Sequence, residues 1–326
     1  MQPTTPAPRS AADATPAERA GALAPMLADP DPRVRKSAVI ALGHLACPES
    51  SAQLCRMLAD PVEGVRVLAC QALGRVADPA CVPALLERVH DDSVEVRSGV
   101  LWALANVVAH GDLDESARAA LFTPVMVLAF DPSDAVRADA AAVIGSLRDP
   151  RATDALLVLL EDACPRVRAN AAASLGLTDD APGLEALLSV AENPGEDPLA
   201  RVSAVDGIAR RASRGSVAAG QPCSRRAVDA ALLLADSPQA ELAQTATWAL
   251  GMMAHLVDAD LRPAVTARLD AALRSPDEWV ARYAAESLAR LHDDAAHAAL
   301  AAFAQTPEAQ ANASVAEVVA KALATF

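Results

Sequence analysis

The residues that could do chemistry in this chain are scattered rather than gathered. Six histidines (His44, His90, His110, His255, His292 and His297) share no ligand spacing. His292 and His297 flank Asp293 and Asp294, but an i, i+5 pair does not put two metal ligands on one helix face. The six cysteines, Cys47, Cys55, Cys70, Cys81, Cys164 and Cys223, include no C-x-x-C pair and fall mostly in apolar stretches. They read as small buried hydrophobes of a reducing compartment. Phosphate-binding loops of the G-x-x-x-x-G-K-[ST] type, G-x-S-x-G elbows and zinc patterns do not occur. The expectation is therefore no catalytic residue, no metal and no cofactor.

Residues suited to binding are easier to find. Arg210, Arg211, Arg214, Arg225 and Arg226 flank a Gly/Ser/Pro-containing stretch, with no acidic residue between Asp206 and Asp229. This reads as a basic insertion over 210–226, either a solvated flexible loop or one that holds an acidic segment or a phosphate. Aromatics make up 2 % of the chain, which includes three Trp and one Tyr. Trp102 and Trp248 are therefore notable as interface anchors or as packing between repeats. Trp279, just before Val280, reads as a staple at a helix start.

The elements that position these residues recur. Val34-Arg35, Val65-Arg66, Val96-Arg97, Val136-Arg137 and Val167-Arg168 are spaced 31, 31, 40 and 31 residues apart. Four residues after the Val, or its equivalent in the weaker later copies, stands Ala in seven of eight copies. Eight after it stands Leu or Ile, and nine after it Gly or Ala. Positions 0, +4 and +8 share one helical face, and a small residue at +9 admits a close neighbour. Asp-Pro ahead of the Val marks a helix start, the Asp accepting free N–H groups. A second helix in each unit, such as Ala155–Leu160, completes a pair that cannot bury its apolar face alone. Positions +3, +6 and +10 point away from the core and vary between repeats. They present His44, Gln71, Arg75, Trp102, Asn106, Asp206, Trp248, Tyr283 and Glu286 as a candidate binding ridge.

The string D-P-x-x-x-V-R-x-x-A-x-x-x-L-G resembles HEAT repeats, specifically the short HEAT-like class named after phycobilisome lyases. The resemblance covers roughly residues 16–326 and implies an all-α, right-handed α-α superhelix of eight to nine helical pairs, while the Pro-, Ala- and Thr-rich stretch over 1–15 reads from its composition as a disordered tail. It implies that the Val-Arg helix is the second of each pair and lines a concave face. It also implies that Asp29/Arg35, Asp60/Arg66, Asp91/Arg97, Asp131/Arg137 and Asp162/Arg168 form ladders between adjacent repeats. The function it implies is a non-catalytic scaffold or adaptor. The alternative is a lyase-like accessory that positions a tetrapyrrole or other small molecule on an acceptor protein. HEAT-like hydroxylases carry His-Glu pairs, and no His-Glu dipeptide occurs here.

The formal net charge of −14 repels phosphate backbones and anionic lipid, so nucleic acid and membrane are set aside as partners. The expected partner is a protein with a basic surface. With no apolar run long enough to span a bilayer and no signal-like start, the cytoplasm is the expected compartment.

Overall fold

Ala and Leu at helical spacing, punctuated by Asp and Pro, form helices throughout the computed structural model, which describes residues 15–326. No strand occurs among the described residues. The tail expected over 1–15 lies outside them except for Thr15, whose hydroxyl caps the first helix. The chain divides into two compact units, one ending at Asp149 and one beginning at Pro150.

The first unit holds α1 (Pro16–Leu23), α2 (Pro32–Leu45), α3 (Ser51–Met57), α4 (Glu63–Val76), α5 (Val82–Leu86), α6 (Val94–His110), α7 (Glu115–Leu128) and α8 (Asp134–Leu147). Each odd-numbered helix pairs with the even one that follows, and α2, α4, α6 and α8 stack side by side as one layer. The second unit holds α9 (Ala152–Leu159), α10 (Pro165–Leu175), α11 (Ala181–Glu192), α12 (Pro198–Ser213), α13 (Pro222–Leu234), α14 (Ala240–Met252), α15 (Arg262–Leu273), α16 (Glu278–Leu291), α17 (Asp294–Ala304), the short α18 (Pro307–Ala311) and α19 (Ala313–Leu323). Here α10, α12, α14, α16 and α19 form the corresponding layer.

The Val of each motif sits on the seam. Val65, Val96, Val136 and Val167 have no exposed surface, and burying each contributes about 1.5–3 kcal/mol. Val34 is half-buried, because α2 opens the stack and meets α4 on one side alone. The small residue at +9 lets neighbouring helices touch. A Cβ on Gly43 would stand 2.9 Å from the Cβ of Ala72, and one on Gly176 would stand 2.6 Å from the Cα of Gly207.

Helix ends explain the irregular period. Twelve residues after the motif Val, α2, α4, α8 and α16 stop at a left-handed residue: Ala46, Ala77, Arg148 and His292, with φ between 46° and 54°. In α6 the equivalent residue, Val108, stays helical and the helix runs on to His110. That extension, together with an α7 of 14 residues against 7 and 5 for α3 and α5, lengthens the spacing from Val96 to Val136.

Candidate functional site: the face of the second helices

Geometry begins with the ladder that sets the spacing of the second helices. Arg35 donates from Nε and Nη2 to both carboxylate oxygens of Asp60, at 2.6 and 2.9 Å, and from Nη1 to the carbonyl of Asp29 at 2.8 Å. Arg66 repeats this with Asp91 (2.9 and 2.8 Å) and the carbonyl of Asp60 (3.1 Å). Arg97 repeats it with Asp131 (2.6 and 2.8 Å) and the carbonyl of Asp91 (2.8 Å). Each guanidinium therefore spends its fork on the next repeat and its remaining arm on its own, the bidentate arrangement Arg is built for. Arg137 donates to the carbonyl of Asp131 at 2.9 Å.

The ladder aspartates do not cap the helices directly. Each accepts from the backbone N–H two residues on, as Asp29 does from Asp31, Asp60 from Val62 and Asp162 from Cys164, and that next residue is the N-cap. The Asp closes a turn ahead of the helix, which leaves its carboxylate free to meet the Arg of the preceding repeat. Burial works to raise the pKa values of Asp60, Asp91 and Asp131, but the arginine and backbone hydrogen bonds outweigh it and hold them below the ordinary range.

In the second unit the same role falls to a residue the repeat pattern did not mark. Arg168 pairs with Glu196 at 3.0 and 2.6 Å and donates to the carbonyl of Asp162 at 2.7 Å. Glu196 escapes a search for Asp at fixed offset because it is longer by one carbon. Its one legible signal is an acid just ahead of Asp197-Pro198.

On the layer of second helices the variable positions open into clefts. In the first unit Val67, Gln71 and Arg75 of α4, Glu95, Ser98, Gly99 and Trp102 of α6 and Asp139 of α8 line a cleft of about 560 Å3. Trp102 is 44 % exposed. One edge of its ring lies so close over Gly74 that any side chain there would overlap it. The ring thus packs on the neighbouring repeat and faces solvent at once. Asn106, half-buried, donates to the Trp102 carbonyl at 2.8 Å, and exposed His44 stands at the end of α2 without lining the cleft.

In the second unit Val202, Ser203 and Asp206 of α12, Gln244, Thr245 and Trp248 of α14 and Tyr283 of α16 line a cleft of about 380 Å3. Asp206 pairs with Arg210 at 2.7 Å, and Gln244 donates to Asp277 at 2.9 Å. Glu286 lies one turn beyond Tyr283 on α16, half-buried. Both clefts use repeat positions +2, +3 and +6 of successive second helices, with a Trp at +6.

A sequence profile for HEAT repeats matches residues 20–105, 51–121 and 124–209, together more than half of the chain. The chain belongs to the HEAT-repeat family. The match does not single out the phycobilisome-lyase class within it. No curated protein matches the sequence. Among solved structures, the crystal structure of an engineered protein from the Northeast Structural Genomics Consortium is similar, at 20 % identity and a TM-score of 0.51 over 94 % of this chain and 88 % of that one. At that identity the likeness is one of fold. Solved chains that match number 408, so a HEAT stack by itself selects no partner.

The basic insertion expected over 210–226 is mostly helix. α12 continues through Ser213 and α13 starts at Pro222, leaving a connection over 214–221 whose turns use Gly215 and Gly220 at φ 78° and 80°. Arg211 is enclosed by the HEAT stack, and Arg210, Arg214, Arg225 and Arg226 pair with acids at its surface. Arg211 is 1 % exposed and donates to the carbonyl of Leu175 at 3.2 Å, to Thr178 Oγ1 at 3.1 Å and to the carbonyl of Asp180. Arg214 reaches the Gly176 carbonyl at 2.7 Å and Asp179 at 3.2 Å. Arg226 bridges Glu185 and Glu192 at 2.6 and 2.8 Å, and Arg225 lies 3.9 Å from both Asp229 and Asp258. Stacking brings Glu185 and Glu192 of α11 and Asp258 of the segment before α15 to arginines distant in sequence, whereas Asp229 lies one turn along α13 from Arg225.

Trp279 also departs from expectation. It is the second residue of α16, not the residue before its cap, and is 50 % exposed. The Arg282 guanidinium lies over its ring, 4.7 Å from the centroid, and Tyr283 stands 5.9 Å away. Among the described residues no group of three or more His, Cys, Asp or Glu is placed to hold a metal ion. No helix among them is long and apolar enough to cross a membrane.

Proposed function

We propose that this chain is a protein-interaction scaffold without a catalytic role, binding its partner along the face of the second helices. One observation carries the reading. Each unit opens a cleft at the same repeat positions, with a part-exposed Trp at its centre and polar residues around it. Partly open aromatics with a polar surround are what interface anchors look like before they are covered. The rest of the fold supplies rigidity: the ladders and glycine seams hold the second helices at fixed spacing, so that little conformational freedom is lost on binding. The net charge of −14 favours a partner with a basic surface. Six free thiols fit a reducing compartment, and we assign the protein to the cytoplasm.

Site-specific photo-cross-linking in the native cell tests the proposal. A photoreactive residue in place of Gln71 or Thr245 is expected to trap a partner protein. The same residue in place of Glu115 on α7 or Ala271 on α15, both exposed on first helices, is expected to trap none. Equal cross-linking from both layers, or none from the second helices, would overturn it.

A further inference from the structure

Three of the four Trp and Tyr side chains of the whole sequence, Trp248, Trp279 and Tyr283, belong to α14 and α16. Trp248 and Tyr283 wall the second unit's cleft, whose volume of about 380 Å3 suits a single long side chain rather than a folded surface. Across the successive second helices α12, α14 and α16 the +6 positions read Asp206, Trp248, Glu286, an indole with a carboxylate on either side. Glu286 is half-buried and makes no hydrogen bond or ion pair among the described residues. Asp206 has Arg210 beside it, but that arginine is 56 % exposed and belongs to an i, i+4 surface pair worth little to stability. Ser203 and Thr245 add hydroxyl acceptors at the rim.

The protein already shows what such a surface accepts. Arg282 lays its guanidinium on Trp279, 4.7 Å from the ring centroid, immediately beside Tyr283. A guanidinium is planar, weakly hydrated and attracted to both an aromatic face and a carboxylate. Resting on the scaffold reading above, we propose that the Trp248 cleft receives an arginine side chain from a segment of the partner protein. The guanidinium stacks on Trp248 and Tyr283, and Asp206 or Glu286 accepts its N–H groups. The net negative field of the chain steers such a segment toward it.

The test uses the full chain and short labelled peptides: one rich in arginine, and one with every arginine replaced by citrulline, which keeps the shape and loses the charge. The arginine peptide is expected to bind at near-physiological salt, and citrulline to weaken it by about tenfold or more. Trp248→Ala and the double variant Asp206→Asn/Glu286→Gln are expected to weaken it by a similar factor, with Glu115→Gln on α7 unchanged. Because Trp248→Ala could loosen the seam, Thr245→Arg provides a second variant that fills the cleft from its rim and should also block the peptide. Equal affinity for the two peptides overturns the proposal, as does wild-type affinity in folded Trp248→Ala and Thr245→Arg. If the arginine peptide fails to bind while a photoreactive residue at position 245 still traps a partner, the scaffold reading stands and the arginine assignment falls.

Discussion

At the scale of single residues, the arginines divide by what surrounds them rather than by type. Arg97 is 11 % exposed at its side chain and bonded to two repeats, whereas Arg274 pairs with Asp270 at 2.9 Å in an i, i+4 surface arrangement, 42 % exposed. Removing Arg97 strands the buried carboxylate of Asp131 and the carbonyl of Asp91. Arg97→Ala is expected to lower unfolding free energy by about 2–3 kcal/mol in urea titrations, and Arg274→Ala by less than about 0.5 kcal/mol. Similar losses for the two would mean that the ladder is ornamental. The Asp and Arg positions of the ladder were legible because they recur. The fate of Arg211 was not: a run of arginines near glycines looks like a loop, and nothing local reveals that three oxygen acceptors from the end of α10 and the segment after it enclose one of them.

At the scale of elements, the seam between second helices decides how they pack. A glycine inside a helix normally costs stability, and Gly→Ala in an open helix gains about 1 kcal/mol. Gly176 reverses that sign, because a Cβ there would stand 2.6 Å from the Gly207 Cα, a backbone atom with no rotamer to change. Gly176→Ala is expected to destabilise by about 1–3 kcal/mol, read from the urea midpoint. A gain would show that α10 and α12 are free to part. The small residue at +9 was visible in the sequence, as was the close approach it permits. That α6 overruns its stop was not, since Val108 favours neither outcome and the helix is set by what it packs against.

At the scale of the whole molecule, carboxylates dominate the response to pH. Asp60, Asp91, Asp131, Glu196 and Asp293 are all held below their ordinary values, burial opposing and the hydrogen bonds from their arginines and backbone prevailing. Groups with depressed folded values contribute stability that is present above the unfolded value and lost as pH falls through the folded one. The thermal midpoint is expected to be nearly flat from neutral pH to about 5 and to fall below about 4. Acidification also relieves self-repulsion of the −14 charge, which acts in the opposite direction. The ladder wins because its partners are about 3 Å apart and partly buried, while much of the remaining charge is exposed and screened. Replacing Asp131 by Asn should flatten the acid limb. An unchanged profile would show that the ladder is not what titrates.

The amino-acid sequence alone determined the all-helical class, the pairing of helices, the buried Val seam and the repeating Asp and Arg. Each of these is written in spacings of four to twelve residues, within reach of helix geometry, and repetition amplifies it. The tertiary structure decided that Arg35, Arg66, Arg97 and Arg168 reach forward to the next repeat, that Glu196 takes an aspartate's place, that Arg211 is enclosed in the stack while its neighbours pair at the surface, and that two tryptophans stand in open clefts. The physical reason is distance along the chain. The partners lie 25 to 41 residues apart, and they meet through the stacking of whole helices, which no local pattern encodes.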